Sequence, residues 1–327
     1  MIRRNVVSLA AFATVWLASL VGRAQFKDEL PEKGPRSDRQ SVQKLKIGVV
    51  IKAVGGPCKG IYATLPVPTD WPEQKVQVLE EDVSPSVKRV GYRVLGGSVK
   101  QMIIEIPQLA SGQEAKALIT YEVTRSTLSP PADTSIYAVA KKPGKELQIY
   151  LGPSPYIESR HQKIISLAKE LTAASNESES DTSAWQTVEK IYDATRERVK
   201  YVNGELKGAI RALNDGTGDC EELTSLFIAL CRASKIPART VWVDGHCYPE
   251  FYLEDDEGHG HWFPCQAAGT RDFGGIPETR PILQKGDNFK DPDRPRERQR
   301  YVSEFLKGAS VKGGGQPKVK FVREVVN

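Results

Sequence analysis

The stretch that decides the fold runs from Gly218 to Arg239 and reads GDCEELTSLFIALCRASKIPAR. Asp219 can cap a helix that begins at Cys220, and Glu222 stands three residues after Asp219, as in a capping box. Apolar side chains recur behind the cysteine at helical spacing, which gives the helix one face to bury. These residues are Leu223, Leu226, Phe227, Leu230 and Cys231. The sequence therefore predicts an amphipathic helix with a thiol in its first turn.

The position of Cys220 favours a reactive thiol. At a helix start, exposed N–H groups and the positive end of the helix dipole stabilise a thiolate relative to a thiol. The alternative is a buried structural cysteine, which is what most isolated cysteines are. The capped helix start favours the first interpretation, so we predict that Cys220 is a nucleophile.

A base and a polar third residue follow on predicted strands. His246 opens one strand after the turn signal Asp244-Gly245, and the next apolar run, residues 261–266, ends in Gln266. A cysteine on a helix, with a histidine and a polar residue on neighbouring strands, is typical of nucleophilic catalysis. The alternatives are a histidine bonded to the backbone and an ordinary polar strand residue at position 266.

In this region the chain resembles the transglutaminase-like superfamily of papain-type thiol enzymes. The family's motifs G-x-C, R-x-x-G-I-P-A-R, H-x-W-x-E-V and G-W-x-x-x-D correspond here to GDC (218–220), RASKIPAR (232–239), HCYPEF (246–251) and HWFPCQ (261–266). The resemblance covers roughly residues 155–270. It implies an α+β fold in which the helix bearing the cysteine packs on an antiparallel sheet. It also implies catalytic roles for Cys220, His246 and the residue at position 266.

The main departure from the family pattern is Gln266, where the family usually has an aspartate. A carboxylate would accept the Nδ1–H of the histidine and stabilise the imidazolium, whereas a glutamine oxygen accepts the same hydrogen bond without charge. Papain-type enzymes use an asparagine in this role, so an amide is compatible with catalysis. We predict that Gln266 orients His246.

The predicted function is thiol-dependent acyl transfer, with hydrolysis of peptide or isopeptide amide bonds as the reaction. Cys220 attacks the carbonyl carbon, His246 moves the proton, and the Cys220 backbone N–H is one donor to the oxyanion. The alternatives are protein cross-linking, in which a lysine amine replaces water, and a non-catalytic binding module on the same fold. The reaction requires no cofactor, and its partner is a protein or peptide substrate.

The region around the proposed base also contains a possible metal-binding set and a possible disulfide. The set consists of His246, Cys247, His259, His261 and Cys265, but its spacing matches no common structural zinc pattern. We therefore expect no metal. Cys247 and Cys265 lie on strands that should be neighbours, so they could pair in an exported protein. The distance between the two cysteines decides whether a disulfide forms, and the sequence does not give that distance.

Residues 1–24 are predicted to be a signal peptide. A basic start with Arg3 and Arg4 precedes an apolar stretch at 6–21, and small residues place the cleavage after Ala24. An uncleaved anchor is the alternative, although the apolar stretch is short for a membrane-spanning helix. We therefore expect an exported protein, periplasmic or extracellular, with no membrane association after cleavage.

The charge of the chain gives no argument for a nucleic-acid partner. The formal net charge is +5, and the loss of three arginines with the signal peptide leaves +2. The mixed-charge segment 285–300 is typical of a solvated surface rather than of a nucleic-acid-binding patch. The sequence does not indicate an oligomeric state.

The remaining chain divides into segments by composition. Residues 25–44 are predicted to be a linker, and residues 45–125 contain at least six short strands, which favours an immunoglobulin-like β-sandwich. A Ser/Pro-rich connector, 126–152, leads to the transglutaminase-like catalytic domain, 153–280. Residues 281–327 are predicted to be a polar, basic and loosely ordered extension.

Overall fold

The computed structural model describes residues 33–173, 183–311 and 315–326. The predicted signal peptide, 1–24, and its cleavage site lie outside these residues. Within the described ranges, no helix has both the length and the apolar character needed to cross a bilayer.

The described chain begins with strands, continues with helices and ends with strands. The first strands are β1 (Arg36–Val54), β2 (Cys58–Val67), β3 (Gln74–Val83), β4 (Arg89–Leu95), β5 (Val99–Leu109) and β6 (Glu114–Ser129). The helical region contains α1 (Lys145–Gln148), α2 (Gln162–Ala173), α3 (Ala184–Arg198), β7 (Lys200–Tyr201), α4 (Gly208–Asp215), β8 (Thr217–Gly218) and α5 (Cys220–Ala233). The last strands are β9 (Ala238–Val243), β10 (His246–Glu254), β11 (Gly260–Gln266), β12 (Asp272–Phe273), β13 (Ile282–Lys285), β14 (Phe289–Lys290), β15 (Arg298–Gln299), β16 (Phe305–Ser310) and β17 (Gln316–Val326).

Two four-stranded antiparallel sheets enclose the first hydrophobic core. Their strand orders are β17-β1-β6-β3 and β16-β2-β5-β4. Buried and exposed residues alternate along much of β1, as expected for a strand with one face against a core. Ile47 and Ile119 of one sheet lie in the same buried cluster as Ile61 and Ile104 of the other. The immunoglobulin-like classification of these sheets stays a prediction.

Both ends of the described chain are more ordered than expected. Residues 36–44, part of the predicted linker, belong to β1, because β6 extends far enough to pair with them. After residue 280, β16 pairs with β2 and β17 pairs with β1, so this segment is not the expected loose extension. Both strands lie at sheet edges and pack apolar side chains, among them Leu306, Val319 and Phe321, against the first core. The predicted domain boundaries themselves stay a prediction.

The second core forms around α5, which begins at Cys220. The helix packs against an antiparallel sheet of order β12-β11-β10-β9-β13, and α2, α3 and α4 pack around its other sides. Leu226, Phe227 and Ile228 of α5 are fully buried in the same cluster as Phe251 and Phe263 of the sheet. A helix bearing the cysteine and packed on an antiparallel sheet is the arrangement that the sequence predicts.

Buried polar contacts join the two cores. Lys285, at the end of β13, contacts Glu73 at 2.8 Å and Glu250 at 2.9 Å. Arg125 of β6 donates to the hydroxyl of Tyr248 at 2.7 Å. Since Tyr248 and Glu250 lie on β10, the strand that His246 opens is fixed from the sandwich side.

Candidate active site

The start of α5 has the predicted capping box. The Asp219 side chain accepts a hydrogen bond from the Glu221 N–H at 2.8 Å, and Glu222 accepts one from the Asp219 N–H at 3.2 Å. These bonds fix the helix start at Cys220. The thiol therefore lies at the positive end of the helix dipole.

The surroundings of the Cys220 thiol favour its ionised form. The side chain is half-buried and interacts with the side chains of Cys247 and His246. These contacts, with the one to Cys247 the largest, lower the pKa of Cys220 to about 4, although burial opposes the shift. At neutral pH the sulfur is accordingly a thiolate.

His246 connects Cys220 to Gln266. Its Nε2 donates to Oε1 of Gln266 at 3.0 Å, which leaves Nδ1 for the interaction with Cys220. The sequence argument expected residue 266 to accept the hydrogen bond from Nδ1. That detail is wrong, because β11 places Gln266 on the Nε2 side of the ring. Burial lowers the pKa of His246, but the hydrogen bonds to Cys220 and Gln266 outweigh it, so the pKa is raised.

The structure thus brings together the side chains that the sequence selected, Cys220, His246 and Gln266. They come from the start of α5, the start of β10 and the end of β11. A thiolate beside a protonated imidazole that is held by an amide can attack a carbonyl carbon and supply a proton to the leaving group.

Two residues of α3 that the sequence argument missed hold Gln266 in place. The Gln266 carbonyl oxygen accepts a hydrogen bond from the Tyr192 hydroxyl at 2.7 Å and another from Arg196 Nη1 at 3.0 Å. Both bonds go to the backbone, so they fix the position of residue 266 whatever its side chain is. Tyr192 and Arg196 are four residues apart and therefore share one face of α3, which is the sequence signal that could have identified them.

Cys247 is a further residue that the sequence argument did not place at the site. Its buried thiol interacts with Cys220, and burial raises its pKa well above the usual range, so it remains a protonated donor. Its sulfur also lies 3.9 Å from the Thr224 hydroxyl oxygen. Cys247 and Cys265 are both free thiols, and the disulfide considered from the sequence is not formed.

The other histidines of the possible zinc set lie in different environments. His261 is buried and bonds to Asp255 at 2.9 Å, whereas His259 is exposed beside Glu257. Among the residues that the structure describes, no three His, Cys, Asp or Glu side chains are arranged to hold a metal ion.

A cleft of about 210 Å³ opens beside the thiol. Cys220 and His246 both line it, so a group bound there touches the reacting atoms. The other lining residues are Glu221, Trp242, Val243, Gly245, Arg300, Tyr301 and Arg323. The arginines and the tyrosine come from the segment after residue 280, so the strands that return to the sandwich also complete this cleft.

Comparison with protein families confirms the resemblance found in the sequence. Residues 166–267 match the family described as the transglutaminase-like superfamily. The matched range contains Cys220, His246 and Gln266, and the fold around them is the papain-type fold. This part of the chain therefore matches a transglutaminase-like domain.

Solved structures support the fold. One from Cytophaga hutchinsonii, named a "Putative Cysteine Protease", is similar over 88% of this chain and 93% of that chain, with 17% identity and a TM-score of 0.53. Another from Parabacteroides distasonis, named a "putative protease", has 13% identity, covers 69% of this chain and 47% of that chain, and has a TM-score of 0.28. No argument rests on this second similarity. The comparison with curated proteins found no match.

Proposed function

We propose that the protein is a thiol-dependent hydrolase of peptide or isopeptide amide bonds. The observation that carries the proposal is the connected set formed by Cys220, His246 and Gln266, with Cys220 at a capped helix start. The family match and the similarity to a structure named as a cysteine protease support it.

The reaction begins with attack of the Cys220 thiolate on the substrate carbonyl carbon. The oxyanion that forms accepts a hydrogen bond from the Cys220 backbone N–H, which lies in the first turn of α5 and points out of the helix. The His246 imidazolium then gives its proton to the leaving nitrogen, the C–N bond breaks, and an acyl-enzyme remains.

Water completes the reaction. The neutral His246 takes a proton from water, the hydroxide attacks the thioester carbonyl, and release of the carboxylic acid restores the thiolate and the imidazolium. Gln266 keeps the ring in place through both proton transfers, because its oxygen accepts the Nε2–H in either state. Since Cys220 is only half-buried, water has access to the acyl-enzyme, as hydrolysis requires.

Labelling with a thiol electrophile, followed by identification of the labelled cysteine, tests this proposal. We expect Cys220 to be labelled rapidly below neutral pH, and peptides identified in a substrate screen to be cleaved by the wild type but not by Cys220→Ala. Cross-linked products instead of hydrolysed ones would show that an amine replaces water. If the wild type and Cys220→Ala treated these peptides alike and Cys220 were not labelled rapidly, a binding module would be favoured.

A further inference from the structure

The cleft beside Cys220 is walled by residues outside the family match. Arg300 and Tyr301 come from the loop between β15 and β16, and Arg323 comes from β17. The volume of about 210 Å³ is below the roughly 300 to 1,000 Å³ of pockets that enclose drug-sized ligands. The cleft therefore fits one residue of a substrate next to the reacting thiol.

Arg323 is held firmly from outside the cleft. Its Nη2 donates to Glu304 at 2.8 Å, and its Nη1 lies 3.5 Å from Asp244, and neither carboxylate lines the cleft. The guanidinium also interacts with the side chain of Tyr301, another residue that lines the cleft. A guanidinium has five N–H donors in a fixed fork, so these partners leave donors for an incoming anion.

Arg300 forms the second cationic part of the wall. Its Nη2 donates to Glu221 at 3.3 Å, and the guanidinium lies 5.1 Å from the centre of the Trp242 ring. Among the described residues that line the cleft, Glu221 is the one carboxylate against two arginines, and it pairs with Arg300, whereas the counter-ions of Arg323 lie outside the lining. Burial raises the pKa of Glu221 to about 7, with Arg300 opposing the shift.

We propose that this cleft binds a carboxylate on the residue next to the scissile amide, with Arg323 as the main anchor and Arg300 as the second. This assignment rests on the proposed function, since it names the substrate class of the same site. The carboxylate belongs either to an acidic side chain or to the free end of a peptide chain. A guanidinium recognises both in the same way, through paired N–H donors.

A pair of small alkylating agents tests the charge preference without a known substrate. Iodoacetate carries a carboxylate and iodoacetamide a neutral amide, and both alkylate the same sulfur. We expect the iodoacetate-to-iodoacetamide rate ratio at Cys220 to exceed the ratio for a cysteine-containing peptide by about tenfold, because charge-assisted hydrogen bonds hold the anion. An equal ratio for the protein and the peptide would overturn the proposal.

Variants identify the groups that produce the preference. Arg323→Gln and Arg300→Gln should each lower the rate ratio, and Arg323→Lys should lower it less, because it keeps the charge without the planar pair of donors. The control is Arg296→Gln, an exposed arginine on the same segment, which should leave the ratio unchanged. If Arg323→Gln does not fold, the ratio measured on the wild type still decides whether the preference exists. A preference that survives both cleft substitutions in folded protein would refute the assignment to these arginines.

Protection of Cys220 from iodoacetamide separates the two sources of the carboxylate. Acetyl-Gly-Glu-amide presents only a side-chain carboxylate, acetyl-Gly-Gln only a terminal one, and acetyl-Gly-Gln-amide neither. Stronger protection by the first indicates an acidic residue, and stronger protection by the second indicates a chain end. Equal protection by all three peptides would contradict the proposal.

The outcome for this cleft is distinguishable from the outcome for the proposed function. Rapid alkylation of Cys220 without an anion preference would refute only the carboxylate site. Alkylation of Cys220 no faster than that of an ordinary thiol would refute the thiol chemistry itself.

Discussion

Replacement of Gln266 tests whether an uncharged third residue supports the site. In Gln266→Ala the hydrogen bond of 3.0 Å from Nε2 of His246 is lost, while the backbone bonds to Tyr192 and Arg196 remain. The fold around residue 266 should therefore be kept. The change isolates the effect of one side-chain acceptor on the imidazole.

The size of the effect follows from the charge on the ring. A hydrogen bond to a charged group contributes about 1.5 to 3 kcal/mol. Since about 1.4 kcal/mol changes a rate tenfold, we expect kcat/KM of Gln266→Ala to fall by roughly 10- to 100-fold. Loss of this bond also lowers the pKa of His246, because burial is then less opposed. The alkaline limb of the kcat/KM profile should accordingly move to lower pH.

A carboxylate at the same position gives the opposite shift. Glutamate has the length of glutamine, so Gln266→Glu places a negative charge where Oε1 now lies, which the shorter aspartate does not. It should stabilise the imidazolium and move the alkaline limb to higher pH. The measurements are kcat/KM against pH on a peptide substrate and the melting temperature of each variant. The control is Gln162→Ala, on the exposed start of α2.

The result that would refute this reasoning is a folded Gln266→Ala variant with the kcat/KM and pH limits of the wild type. Such a variant would show that the side chain of residue 266 has no part in catalysis. A loss of activity accompanied by a lower melting temperature would instead indicate a structural role.

Three further results are expected. Asp287→Ala should lower the free energy of unfolding by about 3 to 5 kcal/mol, because it leaves the fully buried Arg232 without its counter-ion. The control is Asp256→Ala, an exposed substitution that should change the free energy of unfolding by less than about 0.5 kcal/mol. Chemical denaturation measures both variants. Alkylation of Cys220, whose pKa is lowered to about 4, should stay fast down to about pH 5 and slow below pH 4, and a rate that follows an ordinary thiol pKa near 8.5 would contradict this. Burial opposes ionisation of Asp255, but hydrogen bonds from His261 and the backbone lower its pKa to about 2, so its stabilising effect is complete above about pH 4 and is lost as the pH falls toward 2. Acid unfolding of Asp255→Asn should lack that part of the pH dependence.

The parts of the site that the sequence predicts are those specified by local signals. The capping residues and apolar spacing of α5 place Cys220, and turn and strand signals place His246 and Gln266. The choice between the two nitrogens of His246 depends on how β10 and β11 pair and twist, which no local pattern specifies. The sequence argument therefore found the residues but assigned the wrong nitrogen.

The polar ends of the chain show a second limit. β17 lies at a sheet edge, and although Val319 and Phe321 alternate with exposed lysines, this short signal follows a polar segment and the sequence argument missed it. Its order comes from pairing with β1, more than 260 residues earlier in the chain. Contacts at that separation are invisible to an argument that uses windows of ten to twenty residues.

That long-range pairing has a consequence for the cleft. The family match, 166–267, includes Cys220, His246 and Gln266, but Arg300 and Arg323 lie beyond it. Arg323 reaches the cleft only because β17 returns to the sandwich. The segment after residue 280 also supplies Asp287, which pairs with Arg232 of α5 at 2.8 Å. The segment after residue 280 thus lines the cleft and also stabilises α5, so the proposed substrate preference and the stability of the site depend on one piece of chain.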